Sequence, residues 1–150
     1  MFGMTRRKLQ SLVDAERVRQ AIEDAEKKTS GEIRVTVSRF FWGNVRKVAE
    51  RAFDRLGMSA TAERNGVLVF IVPSRRTFVV LGDSGIHERV GQDFWDRVAG
   101  AISKKFREAD FTGGLVDGIG AIGESLSKYF PANAAANPNE LADEVDFGAE

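Results

Sequence analysis

The sequence predicts a small α/β domain on a mixed sheet, and three stretches carry that reading. Val67-Leu68-Val69-Phe70-Ile71-Val72 is a solid apolar run, and a strand without alternation is one covered on both faces. Pro73 to Arg76 then turns the chain into a second β-rich run, Thr77 to Leu81; a connection this short makes the two strands antiparallel. Upstream, Glu32 to Arg39 alternates, with Ile33, Val35 and Val37 on one face and Arg34, Thr36 and Ser38 on the other. That pattern suits an edge or partly covered strand. An amphipathic stripe separates it from the buried run, so the pair reads as a right-handed βαβ crossover.

The remaining elements follow in order. Ser11 with Asp14 reads as a capping box, after which Leu12, Ala15, Val18, Ile22 and Ala25 recur at helical spacing. Glu23 with Lys27 and Asp24 with Lys28 support this helix, and Thr29-Ser30-Gly31 ends it. Phe40-Phe41-Trp42 is a bulky connection, read as helix–sheet packing unless it is exposed, in which case it suits a protein or membrane-surface contact. Asn44 is a plausible cap for the stripe Val45, Val48, Ala49, Ala52, Phe53 and Leu56, closed by Gly57. A turn or short helix covers Ile86 to Val90, and a helix from Gln92 carries Phe94, Trp95, Val98, Ile102 and Phe106 on one side. The last helix starts after Thr112 and runs to Tyr129. Its glycines Gly114, Gly118, Gly120 and Gly123 lower helix propensity and are read as sites of close packing.

Composition narrows the function classes. At 150 residues, 43% apolar and 29% charged, the chain suits one soluble domain. No apolar run is long enough to span a bilayer, and the first ten residues lack a secretory apolar stretch, so a cytoplasmic protein is expected. The absence of cysteine removes disulfides, thiol catalysis and thiolate metal sites. The formal net charge is zero, but it is unevenly distributed. Residues before Pro131 hold all 22 basic residues and, with the tail's five acids set aside, 17 of the 22 acidic ones. The basic residues are interspersed with acids, which does not favour nucleic-acid binding. The expected organisation is a flexible N-terminus over 1–10, a domain over 11–130 and an acidic, disordered tail over 131–150, with Leu141, Val145 and Phe147 able to dock on a surface.

Ala25-Glu26-Lys27-Lys28-Thr29-Ser30-Gly31-Glu32-Ile33-Arg34-Val35, Asn65-Gly66-Val67-Leu68-Val69-Phe70, Gly82-Asp83-Ser84-Gly85-Ile86 and Ala109-Asp110-Phe111-Thr112-Gly113-Gly114-Leu115 together resemble the TPM domain family, in the family's order and over about residues 10 to 130. The resemblance implies a three-layer α/β/α sandwich with a mixed central sheet, usually of four strands, where only three are clear here. It implies a stand-alone cytosolic type, since the signal and anchor segments of many members are not seen. Members are described as acid phosphatases and as calcium-binding proteins.

The loop from Gly82 is the leading candidate site. Asp83 and Glu88 offer hard oxygen ligands to calcium or magnesium, with the Ser84 hydroxyl or backbone carbonyls completing a shell. In the family an Asp commonly lies near the Asp93 position, offset by about one residue, and Asp110 corresponds better; Asp117 is a turn or more beyond. Connections on one side of the sheet would gather Asp83, Asp93 and Asp110. The plainer roles are a helix N-terminal charge for Asp93 and a cap or turn for Asp110. The alternating acids of an EF-hand are missing. His87, the only histidine, reads as a surface helix residue rather than a catalyst. Gly82 and Gly85 lack the context of a nucleotide fingerprint, and Arg75 and Arg76 read as a charged turn tip. No catalytic nucleophile or base is identifiable.

Two functions are therefore open. One is a module that binds a divalent cation or a protein partner. The other is a metal-assisted phosphatase acting on phosphomonoesters of a small molecule or phosphoprotein, in which the cation neutralises phosphate oxygens and activates water.

Overall fold

The computed structural model describes residues 4–39, 43–132 and 141–148. Three strands form one sheet in the order β1 (Glu32–Val37), β2 (Gly66–Val72), β3 (Thr77–Gly82). β1 runs parallel to β2, with Val35 opposite Val69. β3 runs antiparallel, with Val69 opposite Val80. The crossover between β1 and β2 carries α3 (Val45–Arg55), and the β2–β3 turn is a single 3-10 turn at Pro73–Arg75. All of β2 is buried, as its unbroken apolar run requires.

Helices cover both faces. On one, α1 (Arg6–Leu12), α2 (Ala15–Glu26), α4 (Ser84–Arg89), α5 (Gln92–Phe106) and α6 (Phe111–Tyr129) pack with Ile33, Val35, Val37, Val67, Val69 and Ile71. On the other, Ala49 and Ala52 of α3 and Met58 meet Leu68, Phe70, Val72 and Leu81. The result is the expected α/β/α sandwich, with three strands among the described residues where the family resemblance suggested four.

Several local features differ from the sequence reading. Residues 6–12 are helical, capped by Thr5, whose hydroxyl accepts from the Lys8 amide at 3.1 Å; Leu9 is fully buried and holds this start of the chain to the core. The capping box at Ser11 does not form. Asp14 itself caps α2, accepting from the Arg17 amide at 3.1 Å, because Ser11 belongs to α1. α6 starts at Phe111, since Asp110 rather than Thr112 supplies its cap. The connection Phe40-Phe41-Trp42 lies outside the described residues.

The glycines of α6 do permit close approach. A Cβ on Gly118 would lie 2.5 Å from Ile102 Cγ1, and one on Gly123 would lie 2.7 Å from the Ala25 Cβ, whereas Gly120 faces open space. Gly118→Ala gains about 1 kcal/mol of helix propensity but overpacks the α5–α6 contact at a cost of about 1–3 kcal/mol. The net expectation is a loss of about 1 kcal/mol by urea unfolding, whereas Gly120→Ala should stabilise.

The tail segment 141–148 lies against β1. Asp146 forms a parallel bridge to Thr36: its amide donates to Val35 O at 2.9 Å, and its carbonyl accepts from the Val37 amide at 2.8 Å. Leu141, Val145 and Phe147 pack on the two cores. This strap covers the polar face of β1, where Glu32 and Thr36 are buried. The intervening residues 133–140 lie outside the description.

Candidate functional site

Asp83 sits where β3 ends, as the N-cap of α4, with its side chain accepting from the Ser84 amide at 2.8 Å. Only 6% of it is exposed. Both carboxylate oxygens are taken by Arg64, whose Nε donates to Oδ2 at 2.7 Å and Nη2 to Oδ1 at 3.0 Å. This is the two-pronged pairing that a guanidinium makes with a carboxylate, and it holds the Arg64 side chain although its backbone is left-handed, at φ 51. The pairing with Asp83 also holds the Arg64 guanidinium above its usual range. A cation at Asp83 must displace this partner.

The other proposed ligands are scattered. Glu88 and Asp93 are exposed on α4 and in the first turn of α5, at the Asp83 end of the molecule. Asp110 caps α6 through the Gly113 amide at 2.9 Å. The far end of α6 reaches that Asp83 end: Tyr129 O accepts from Arg89, the last residue of α4, at 3.2 Å, and Phe130 O accepts from the Ser30 amide. Asp110 is thus separated from Asp83 by the length of α6, about 28 Å at 1.5 Å per residue, and one ion cannot join them. Asp117 pairs with Lys105 at 2.9 Å. His87 is exposed and stacks on Trp95 with ring centroids 5.0 Å apart. Among the described residues no three His, Asp or Glu side chains form a group able to hold a metal ion.

A different site emerges at the carboxyl end of β1. Arg6, Arg39, Arg51 and Arg55 line one cleft of about 500 Å3, whose wall includes Val48, Ala52, Phe70 and Phe147 with Thr36 and Ser38. Crevices outside the carboxyl ends of parallel strands are where open α/β sheets hold ligands. The four arginines arrive from three parts of the fold. Arg39 follows β1, Arg51 and Arg55 are one turn apart on α3, and Arg6 is in α1. Asp146 of the strap meets one of them, Arg55. It accepts from Arg55 at 2.7 and 3.3 Å and from the Thr36 hydroxyl at 2.8 Å. Burial raises its pKa, but the Arg55 and Thr36 hydrogen bonds outweigh that and leave the carboxyl below its usual range. Among the described residues Arg6 reaches the Gly148 carbonyl, at 3.4 Å. Arg39 and Arg51 form no ion pair with a described residue.

The opposite end of the strap rests on acids. The Leu141 amide donates to Glu32 at 2.9 Å. Glu26, at the end of α2, accepts from the Ile33 amide at 2.8 Å and is hydrogen-bonded to Asp143. Burial foremost, then that bond and the Glu32 charge, push the Glu26 carboxyl up to about 9. Glu26 therefore keeps its proton at neutral pH.

The cleft was invisible to the sequence reading because its arginines are spread from position 6 to 55. One signal was present: Arg51 and Arg55 are a like-charge i,i+4 pair, which costs helix stability.

The TPM domain model matches residues 8–125 of the chain. The chain belongs to the TPM domain family. Among solved structures this TPM domain is similar to the BA42 protein of the psychrophilic bacterium Bizionia argentinensis, at 40% identity, covering 90% of this chain and 92% of that one with a TM-score of 0.85. It is also similar to the N-terminal domain of cg2496 from Corynebacterium glutamicum, at 17% identity, covering 79% of this chain and 74% of that one with a TM-score of 0.60. An N-terminal domain of a P. gingivalis protein is 15% identical, covering 87% and 96% respectively with a TM-score of 0.60. At these last two identities the likeness shows the fold alone. No curated protein matches the chain. Among the described residues no helix of this TPM domain is long and apolar enough to cross a membrane.

Proposed function

We propose that this TPM domain is a binding module whose ligand presents a phosphoryl or carboxylate group to the arginine cleft. The observation that carries this reading is that four arginines line one cleft and that, among the described residues, only Arg55 of the four is paired with a carboxylate, that of Asp146. Like charges repel, so an arrangement of this kind is relieved by a bound anion, and planar guanidinium groups suit phosphate geometry. The apolar wall of Val48, Ala52 and Phe70 adds room for an uncharged part of the ligand. Calcium or magnesium binding at Asp83 is the competing binding mode, opposed by the Arg64 pair.

Titration of the protein with phenyl phosphate at low ionic strength, followed by backbone amide shifts, tests the proposal. Saturable shifts at Ser38, Arg39 and residues 48–55 are expected, and Arg51→Ala should weaken binding by roughly tenfold, the scale of one charge-assisted contact. Shifts that are absent, or indifferent to Arg51→Ala, would remove the anion reading. A parallel calcium and magnesium titration is read at Asp83 and Asp110. Localised saturable shifts there would favour the cation module instead. Metal-assisted phosphomonoester hydrolysis is the remaining alternative, with Asp83 beside the amino end of β1 and so away from the arginine cleft. It requires turnover of phenyl phosphate above a metal-free control, lost on substitution of Asp83 or Asp110.

A further inference from the structure

The strap has two anchors of opposite character, and the basic anchor coincides with the cleft. Asp146 places its carboxylate against Arg55 and Thr36, while Phe147 and Gly148 continue along the cleft wall. The segment thus brings an anion and an apolar ring to a site lined by arginines and apolar side chains. Among the described residues its main-chain pairing with the sheet is the one bridge at Asp146, the Leu141 amide and Glu144 carbonyl being held by the side chains of Glu32 and Arg34, so little main-chain pairing resists its departure. A phosphomonoester carries up to two negative charges and more acceptor oxygens than one carboxylate, enough to engage Arg39 and Arg51 as well as Arg55.

We infer that the segment 141–148 is a built-in competitor for the arginine cleft: Asp146 stands where the anionic group of an aryl phosphomonoester is held, and ligand and strap exclude one another. This inference rests on the anion-binding reading. Binding frees Arg55 from Asp146 and lifts the strap from β1, so that occupancy of the cleft is reported at the edge of the sheet.

Two measurements on the full chain test it, with phenyl phosphate as the probe. Asp146→Ala should tighten binding roughly tenfold, since one charge-assisted contact no longer has to be broken. In the unsubstituted protein, saturating phenyl phosphate should speed hydrogen exchange at the Asp146 and Val37 amides, which pair strap with strand. Equal affinity in both chains with unchanged exchange would overturn the competition while leaving the cleft as an anion site. Absence of binding to either chain would remove the anion-site reading itself, and the competition with it. The exchange arm keeps the test decisive if Asp146→Ala proves poorly folded.

Discussion

Gly85→Ala is expected to destabilise the domain by about 3 kcal/mol, at the upper end of what overpacking costs. A Cβ at this position would lie 2.3 Å from Glu63 O and 2.6 Å from Arg64 O. Both are main-chain atoms, so no side-chain rotation relieves the clash. α4 must lift from the 63–64 turn, stretching the Gly85 amide bond to Arg64 O, now 2.8 Å, and the neighbouring Asp83–Arg64 pair. Urea unfolding should show a lower midpoint with an unchanged slope. A loss below about 0.5 kcal/mol, the scatter of ordinary surface substitutions, would mean that the turn relaxes freely. The glycine in this loop thus serves the approach of chain to chain.

Glu26 should give the protein an alkaline decline in stability. Its carboxyl titrates at about 9 in the fold against 4.5 for the free group. Between those values the folded chain holds a proton that the unfolded chain has released, so stability falls as pH rises. The contribution is complete below 4.5 and is lost as pH passes through about 9, with a slope of up to ~1.4 kcal/mol per pH unit. Glu26→Gln keeps an acceptor for the Ile33 amide without titrating. It should flatten the decline in denaturation series from pH 5 to 10 and preserve exchange protection at Asp146 above pH 9. An equally steep decline in the variant would place its source elsewhere.

The layers of this fold were legible because each is written within a short window of sequence. The solid run Val67–Val72 became a wholly buried strand, and the alternation from Glu32 became an edge strand with one polar face. The glycines Gly114, Gly118 and Gly123 met the neighbours that close packing requires. What stayed hidden was long-range pairing. Asp83 read as a metal ligand because nothing local reveals that Arg64, 19 residues earlier, takes both its oxygens. The helix over Arg6–Leu12 is too short to display a period, and its hold on the core is mainly Leu9. The acids of the tail signalled a solvated segment, yet Asp146 meets Arg55 across 91 positions and Asp143 meets a carboxyl that keeps its proton. The arginine cleft is legible only after β1, α3 and α1 are assembled.

A three-stranded sheet has only one interior strand, so two of its three strands are edges. Exposed edges invite intermolecular strand addition. On β1, Asp146 already occupies the outward Val35 carbonyl and Val37 amide, with an ionised carboxylate beside them. The segment that gates the cleft therefore also blunts an adhesive edge. Any ligand that lifts it exposes a template for self-association, and light scattering should report that exposure as growth in particle size.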